Sequence, residues 1–167
     1  IEDRFLRLPP TSDGMAFMRS AVYQDEKGPI NLSFDYEAIT WLQDNVQGSP
    51  TIVEGVTPLY RWGSRASVYT GLPTVVGWDW HQKQQRWGYQ WMVDARIADV
   101  NRIYTTTDPQ VALELLHKYG VSYIYLGDVE RGYYPGAGLA KFDQMVGSYL
   151  DLAYSNPKVR IFKVKGS

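Results

Sequence analysis

Residues 106–127 read TTDPQVALELLHKYGVSYIYLG. The first fifteen carry the signals of a helix with both ends marked. Asp108 can cap it, Pro109 suits the first turn where a missing N–H costs nothing, and Gly120 can end it. The run VSYIYLG that follows is short, β-branched and aromatic, which predicts a strand. A helix handed directly to a strand is the repeating element of an α/β fold.

The same alternation extends in both directions. Upstream, Val93, Ile97, Val100 and Tyr104 recur at helical spacing, while Asp94, Arg96, Asp99 and Arg102 occupy the other face. That is an amphipathic helix covering a core. Further upstream, DYEAITWLQDNVQG places Ile39, Leu42 and Val46 on one helical face and stops at Gly48, with TIVEG after it as a short buried strand. Downstream, AGLAKFDQMVGSYL repeats the helical spacing at Leu139, Phe142, Val146 and Tyr149. LDLAYSNPKVRIFKV then reads as two strands joined by the turn SNP. Helix–strand, helix–strand and hairpin predict an α/β fold: a single three-layer-like domain with a mixed β-sheet flanked by helices and a C-terminal hairpin. Residues 1–34 are expected to be irregular, because RLPPTSDGMAFM and DEKGPINLS set Pro, Gly, Ser and Asp between short apolar pieces. The domain is therefore placed at 35–167.

Composition narrows the function classes. The 167 residues carry a formal net charge of −1, which gives no electrostatic argument for nucleic acid or an anionic membrane. There is no cysteine, so disulfides, thiol catalysis and thiolate metal sites are excluded. Aromatics reach 14%, with 13 tyrosines, and such residues pair a large apolar body with one polar tip suited to binding surfaces. No apolar run approaches the roughly 18 residues of a membrane span. The chain begins IEDRFLRLPP, without methionine or a signal-peptide pattern, so a piece of a longer polypeptide is expected.

The chemistry concentrates in residues 70–91, TGLPTVVGWDWHQKQQRWGYQW, which hold four of the six tryptophans and one of the two histidines. TGLPTVVGW reads as a turn and short buried strand, and DWHQKQQR as an exposed segment at a strand end. His81 can titrate near neutral pH and serve as a ligand-contacting donor, with a neighbouring carbonyl as the plainer partner. Glu54 ends a strand, where ligands of α/β sheets bind, and either accepts hydroxyls or pairs structurally with Arg65. Arg86 beside Trp87 either binds an anion or stacks on a ring. The ligand-binding set expected on this basis is Glu54, Tyr60, Arg65, Trp78, His81, Gln82 and Arg86. Trp78 and Tyr60 would stack, Glu54, His81 and Gln82 would hydrogen-bond, and Arg65 and Arg86 would supply charge. Aromatic faces beside Asp, Gln, His and Arg suit carbohydrate, whose C–H faces lie on rings and whose hydroxyls need directed partners. No metal spacing, nucleotide-type glycine loop or GxSxG elbow is present, so no catalytic residue, metal or cofactor is expected. His117 lies on an amphipathic helix, and Asn31 begins a glycosylation sequon, NLS.

The ordered segments EAITWLQDNVQGSPTIVEGV, YRWGSRASVYTGLPTVVGWDWHQKQQR, RIADVNRIYTTTDPQVALELLHKYGVSYIYLGDVER and GLAKFD resemble the extracytoplasmic C-terminal domain of the YYY family, Chlor_Arch_YYY. The resemblance spans about residues 35–165. It departs from the family pattern at Gln85 and Trp87. These are multi-pass membrane proteins similar to GT-C-type glycosyltransferases, which use lipid-linked sugar donors. The resemblance implies an intact protein anchored in a membrane, with residues 1–34 following its last membrane helix and this domain on the extracytoplasmic side. The domain would contribute a glycan, lipid-linked sugar or acceptor surface without catalysing alone, its partners being its own transmembrane domain and such a ligand, not nucleic acid. The alternative is a structural or protein-interaction module docking on that membrane domain or on another protein. An independent enzyme using His81 as base ranks last, since Asp79 would point away from His81 on a strand.

Overall fold

The computed structural model describes residues 11–166. Two strands, β1 (Val22–Asp25) and β2 (Gly28–Asn31), form an antiparallel hairpin. The main sheet contains β3 (Thr51–Val53), β4 (Val121–Leu126), β5 (Leu150–Ser155) and β6 (Arg160–Val164) in the order β3-β4-β6-β5. β3 and β4 run parallel, while β6 is antiparallel to both β4 and β5, so the sheet is mixed. Among the described residues seven α-helices accompany it: α1 (Leu32–Asn45), α2 (Arg65–Thr70), α3 (Asp79–Gln85), α4 (Gln90–Thr105), α5 (Pro109–Lys118), α6 (Asp128–Tyr133) and α7 (Gly136–Met145).

Strand alternation sorts the core into two layers. Ile124, Leu126, Phe162 and Val164 face Val100, Ile103 and Tyr104 of α4, Leu116 of α5 and Phe142 of α7. Ile52, Tyr125 and Ile161 face Ala38, Ile39 and Leu42 of α1. With helices on both faces, the expected three-layer α/β domain with a mixed sheet and a C-terminal hairpin is the observed one. α5 carries the caps read from its sequence: Asp108 accepts from Gln110 N at 2.8 Å and Pro109 opens the helix.

Three stretches differ from expectation. The described part of 1–34 is ordered, through a 3-10 turn at Ala16–Arg19 and the β1–β2 hairpin. Met15, Met18, Ile30 and Leu32 are buried in the same core as α1, so the packed body begins before residue 35. α1 itself starts at Leu32, because Asn31 Oδ1 accepts from Ser33 N at 3.0 Å and caps it. The stretch before residue 11, expected to follow a membrane helix, lies outside the described residues. Residues 79–85, expected as an exposed segment at a strand end, form helix α3; Val75 and Val76, expected in a short buried strand, lie in a bend that Gly77, at φ +70°, carries into the helix. Thr74 bridges to the sheet at Ile52, whose N–H donates to Pro73 O at 2.8 Å. Finally, α7 stops at Met145, so Val146 and Tyr149 leave the helix; Gly147, at φ +90°, turns the chain into β5. No helix among the described residues is long and apolar enough to cross a membrane.

Lys141 on α7 is buried, donating from Nζ to Gly138 O at 2.7 Å and lying 3.9 Å from the Phe142 ring. Burial pushes its ammonium down to about 8 from 10.5. A lowered lysine means that the unfolded chain binds more protons between those values, so this group's contribution makes stability rise with pH across that window. Lys141→Met is expected to raise stability at pH 7 by about 1–2 kcal/mol, since it removes a buried charge with no carboxylate partner among the described residues. Urea titrations of both proteins at pH 7 and pH 10 check this, and the gap should close at the higher pH.

Candidate functional site

The site begins where β3 ends. Glu54 is buried, and its carboxylate accepts from Ala66 N at 2.9 Å and Ser67 N at 3.0 Å, closing the start of α2. Burial pushes this carboxyl up, and the Arg65 charge offsets only part of that. Arg65 is the largest fully buried side chain. Its Nε donates to Asp35 Oδ1 at 2.9 Å, its Nη2 to Glu130 Oε2 at 2.8 Å and its Nη1 to Glu130 Oε1 at 3.2 Å. The guanidinium lies 4.6 Å from the Tyr125 ring centroid, and Tyr125 donates its hydroxyl to Asp35 Oδ1 at 2.6 Å. Burial alone would raise the Glu130 carboxyl; the Arg65 charge and hydrogen bonds, with the Gly127 and Gly55 N–H groups, hold it below its usual value.

This buried network fastens the loop between β3 and α2. On one side Gly55 N donates to Glu130 Oε1 at 2.9 Å and Val56 N to the Tyr134 hydroxyl at 2.9 Å. On the other, Trp62 donates from Nε1 to Asp35 Oδ2 at 2.9 Å and packs among Phe17, Tyr23 and Tyr69. Between these anchors the chain projects into solvent. Tyr60 is 94% exposed, and its backbone sits at φ +60°, a conformation that costs a non-glycine residue about 1–3 kcal/mol. Arg61 ties the loop to the β1–β2 turn through Glu26 at 2.8 Å.

Facing the loop is the start of α3. Together they enclose a cleft of about 140 Å³, with Pro58, Leu59, Tyr60 and Ser64 on one wall and Trp78, Asp79, Trp80 and His81 on the other. His81 contacts the Trp78 ring edge-on at 5.4 Å. No carboxylate or hydroxyl hydrogen-bonds to His81 among the described residues, so nothing orients it as a general base. Asp79 is directed instead toward Lys83, at 3.8 Å, which also pairs with Asp94 at 2.6 Å. A second groove of about 510 Å³ runs from the end of α3 to α4 and contains Gln82, Arg86, Trp87 and Tyr89.

The seven residues singled out in the sequence thus fall in three places. Tyr60, Trp78 and His81 converge on the cleft. Gln82 and Arg86 line the groove beyond it, with Gln82 reaching Val76 O and Arg86 reaching Gln82. Glu54 and Arg65 lie beneath, with their polar atoms engaged by the fold, though not as the direct Glu54–Arg65 pair weighed for them: Glu54 holds the start of α2, and Arg65 pairs with Asp35 and Glu130. Asp35 and Glu130, which complete the buried network, carry no local signal; each shares its helix with other acidic residues, Glu37 and Asp44 on α1 and Asp128 on α6. Trp80 and Asp79 belong to the aromatic stretch and could have been added to the cleft from sequence alone. No group of three or more His, Cys, Asp or Glu side chains suited to a metal occurs among the described residues.

No protein-family model matches the chain, and no curated protein matches it. Among solved structures it is similar to the C-terminal globular domain of an oligosaccharyltransferase from Archaeoglobus fulgidus. The TM-score is 0.51 at 14% identity, over 78% of this chain and 95% of that one. At that identity the two share a fold.

Proposed function

We propose that this chain is the extracytoplasmic domain of a polytopic, glycosyltransferase-like membrane protein of the YYY family, and that its cleft binds a glycan, lipid-linked sugar or acceptor without catalysing alone. The observation that carries the reading is the convergence of Tyr60, Trp78 and Trp80 with Asp79, His81 and Ser64 around one concave site. Flat rings take sugar C–H faces, and short polar groups beside them take hydroxyls. The fold shared with an oligosaccharyltransferase domain supports the same class of ligand. The absence of an orienting partner on His81 among the described residues favours binding over proton transfer.

A glycan array probed with this chain tests the reading. Wild type is expected to bind a subset of glycans, and Trp78→Ala and His81→Ala are each expected to weaken that binding by about tenfold, the loss of one stacking or hydrogen-bonding contact. Equal binding by wild type and both variants, or no binding to any glycan, would overturn it.

A further inference from the structure

The groove on the far side of α3 differs in kind from the cleft. Its walls include Arg86, Trp87, Tyr89, Met92 and Arg96. The tight turn between α3 and α4 brings them together: Gly88 takes φ +83° and Tyr89 N donates to Arg86 O at 2.8 Å. Trp87 is 86% exposed and Tyr89 60%. Apolar surface left so open on a folded chain marks a contact with something else.

The side chains indicate what that contact is. The exposed rings are tryptophan and tyrosine, the two that partition to the interface between lipid and water. Two cations stand with them. Arg86 donates to Gln82, and Arg96 donates to Val75 O at 3.3 Å and lies 5.7 Å from the Tyr119 ring. Neither meets a carboxylate among the described residues, whereas Lys83 close by is paired with Asp94. The whole chain is slightly acidic, yet this groove holds two uncompensated positive charges beside amphipathic rings. Lipid phosphates and anionic headgroups complement that arrangement.

We propose that the α3–α4 corner is a lipid-docking surface, with Trp87 and Tyr89 among the headgroups of an anionic bilayer and Arg86 and Arg96 on lipid phosphates. The surface stands apart from the glycan reading of the cleft, because it needs no saccharide.

Flotation of this chain with phosphatidylcholine vesicles, with and without phosphatidylglycerol, tests it. The chain is expected to float with the mixed vesicles. W87A/Y89A should lower its partitioning by about tenfold or more, the value of two aromatic side chains withdrawn from the interface. R86Q/R96Q should lose most of the gain from phosphatidylglycerol, roughly thirtyfold for two cations at the surface. H81A should float as wild type does, which separates this surface from the cleft. The proposal is overturned if the chain floats with neither vesicle, or if W87A/Y89A floats as well as wild type. A self-associated wild-type chain in sedimentation, dissolved by W87A/Y89A, would also overturn it, by assigning the face to a second copy.

Discussion

Arg65→Met is expected to destabilise the fold by about 3–5 kcal/mol, the cost of removing one partner from a buried charge cluster. The substitution leaves Asp35 and Glu130 buried without the guanidinium that each hydrogen-bonds. It also removes the charge that partly offsets the burial of Glu54. The pH dependence identifies the mechanism. In the wild type Glu130 is depressed, so its stabilisation is present above its unfolded value near 4.5 and is lost as pH falls through the lower folded value. Glu54 is raised, so it works in reverse: as pH rises through 4.5 the unfolded chain loses that proton first and gains on the native state. Without Arg65, burial dominates at Glu130 too, and both carboxyls favour the protonated form. The deficit of R65M should therefore shrink as the pH is lowered from 7 toward 4.5. Urea denaturation of both proteins across that range measures it; a deficit below about 1 kcal/mol, or one independent of pH, would falsify the account.

Gly138→Ala is expected to cost about 2–3 kcal/mol, by overpacking where two helices touch. A Cβ at Gly138 would lie 2.4 Å from Tyr104 O and 2.6 Å from Thr105 O. Those oxygens are backbone at the end of α4, so relief requires α7 to move away from α4. Tyr104 bridges the sheet, donating its hydroxyl to Tyr125 O at 2.8 Å and to Val53 O at 3.1 Å. Displacement would therefore be felt at β3 and β4. Gly136→Ala on the same helix supplies the contrast, because nothing lies within 4 Å of its Cβ position and its φ is ordinary. That variant should be neutral or stabilised by a few tenths of a kcal/mol. Thermal melts of the pair separate close packing from a general intolerance of α7 to substitution.

The elements legible in the sequence were those whose signals are local. α5 and β4 announce themselves through Asp108, Pro109, Gly120 and a β-branched run. The β1–β2 hairpin was hidden because each strand is four residues long and Asp25, Gly28 and Pro29 look like loop residues in isolation. Its burial comes from Ile30, Met15 and Met18, which find partners only in the assembled core. α3 was missed because DWHQKQQ has no apolar period; it forms on the surface, with no residue buried. The cleft was partly legible because Trp78 and His81 are neighbours in sequence, and Tyr60 stands out in a loop after a strand. The network beneath was not, since Arg65 and Glu130 lie 65 positions apart and only the tertiary fold brings them together.

One feature of the loop after β3 bears on how such a protein can diversify. Gly55 and Val56 are fastened on one side and Trp62 on the other, all by groups buried in the body of the domain. The residues between, 57–61, therefore behave as a cassette. Changes in their length or side chains would redraw one wall of the cleft while the interior beneath stays as it is. Lineages carrying this fold could thus drift in what they recognise without refounding how they hold together, and an engineer could graft there first.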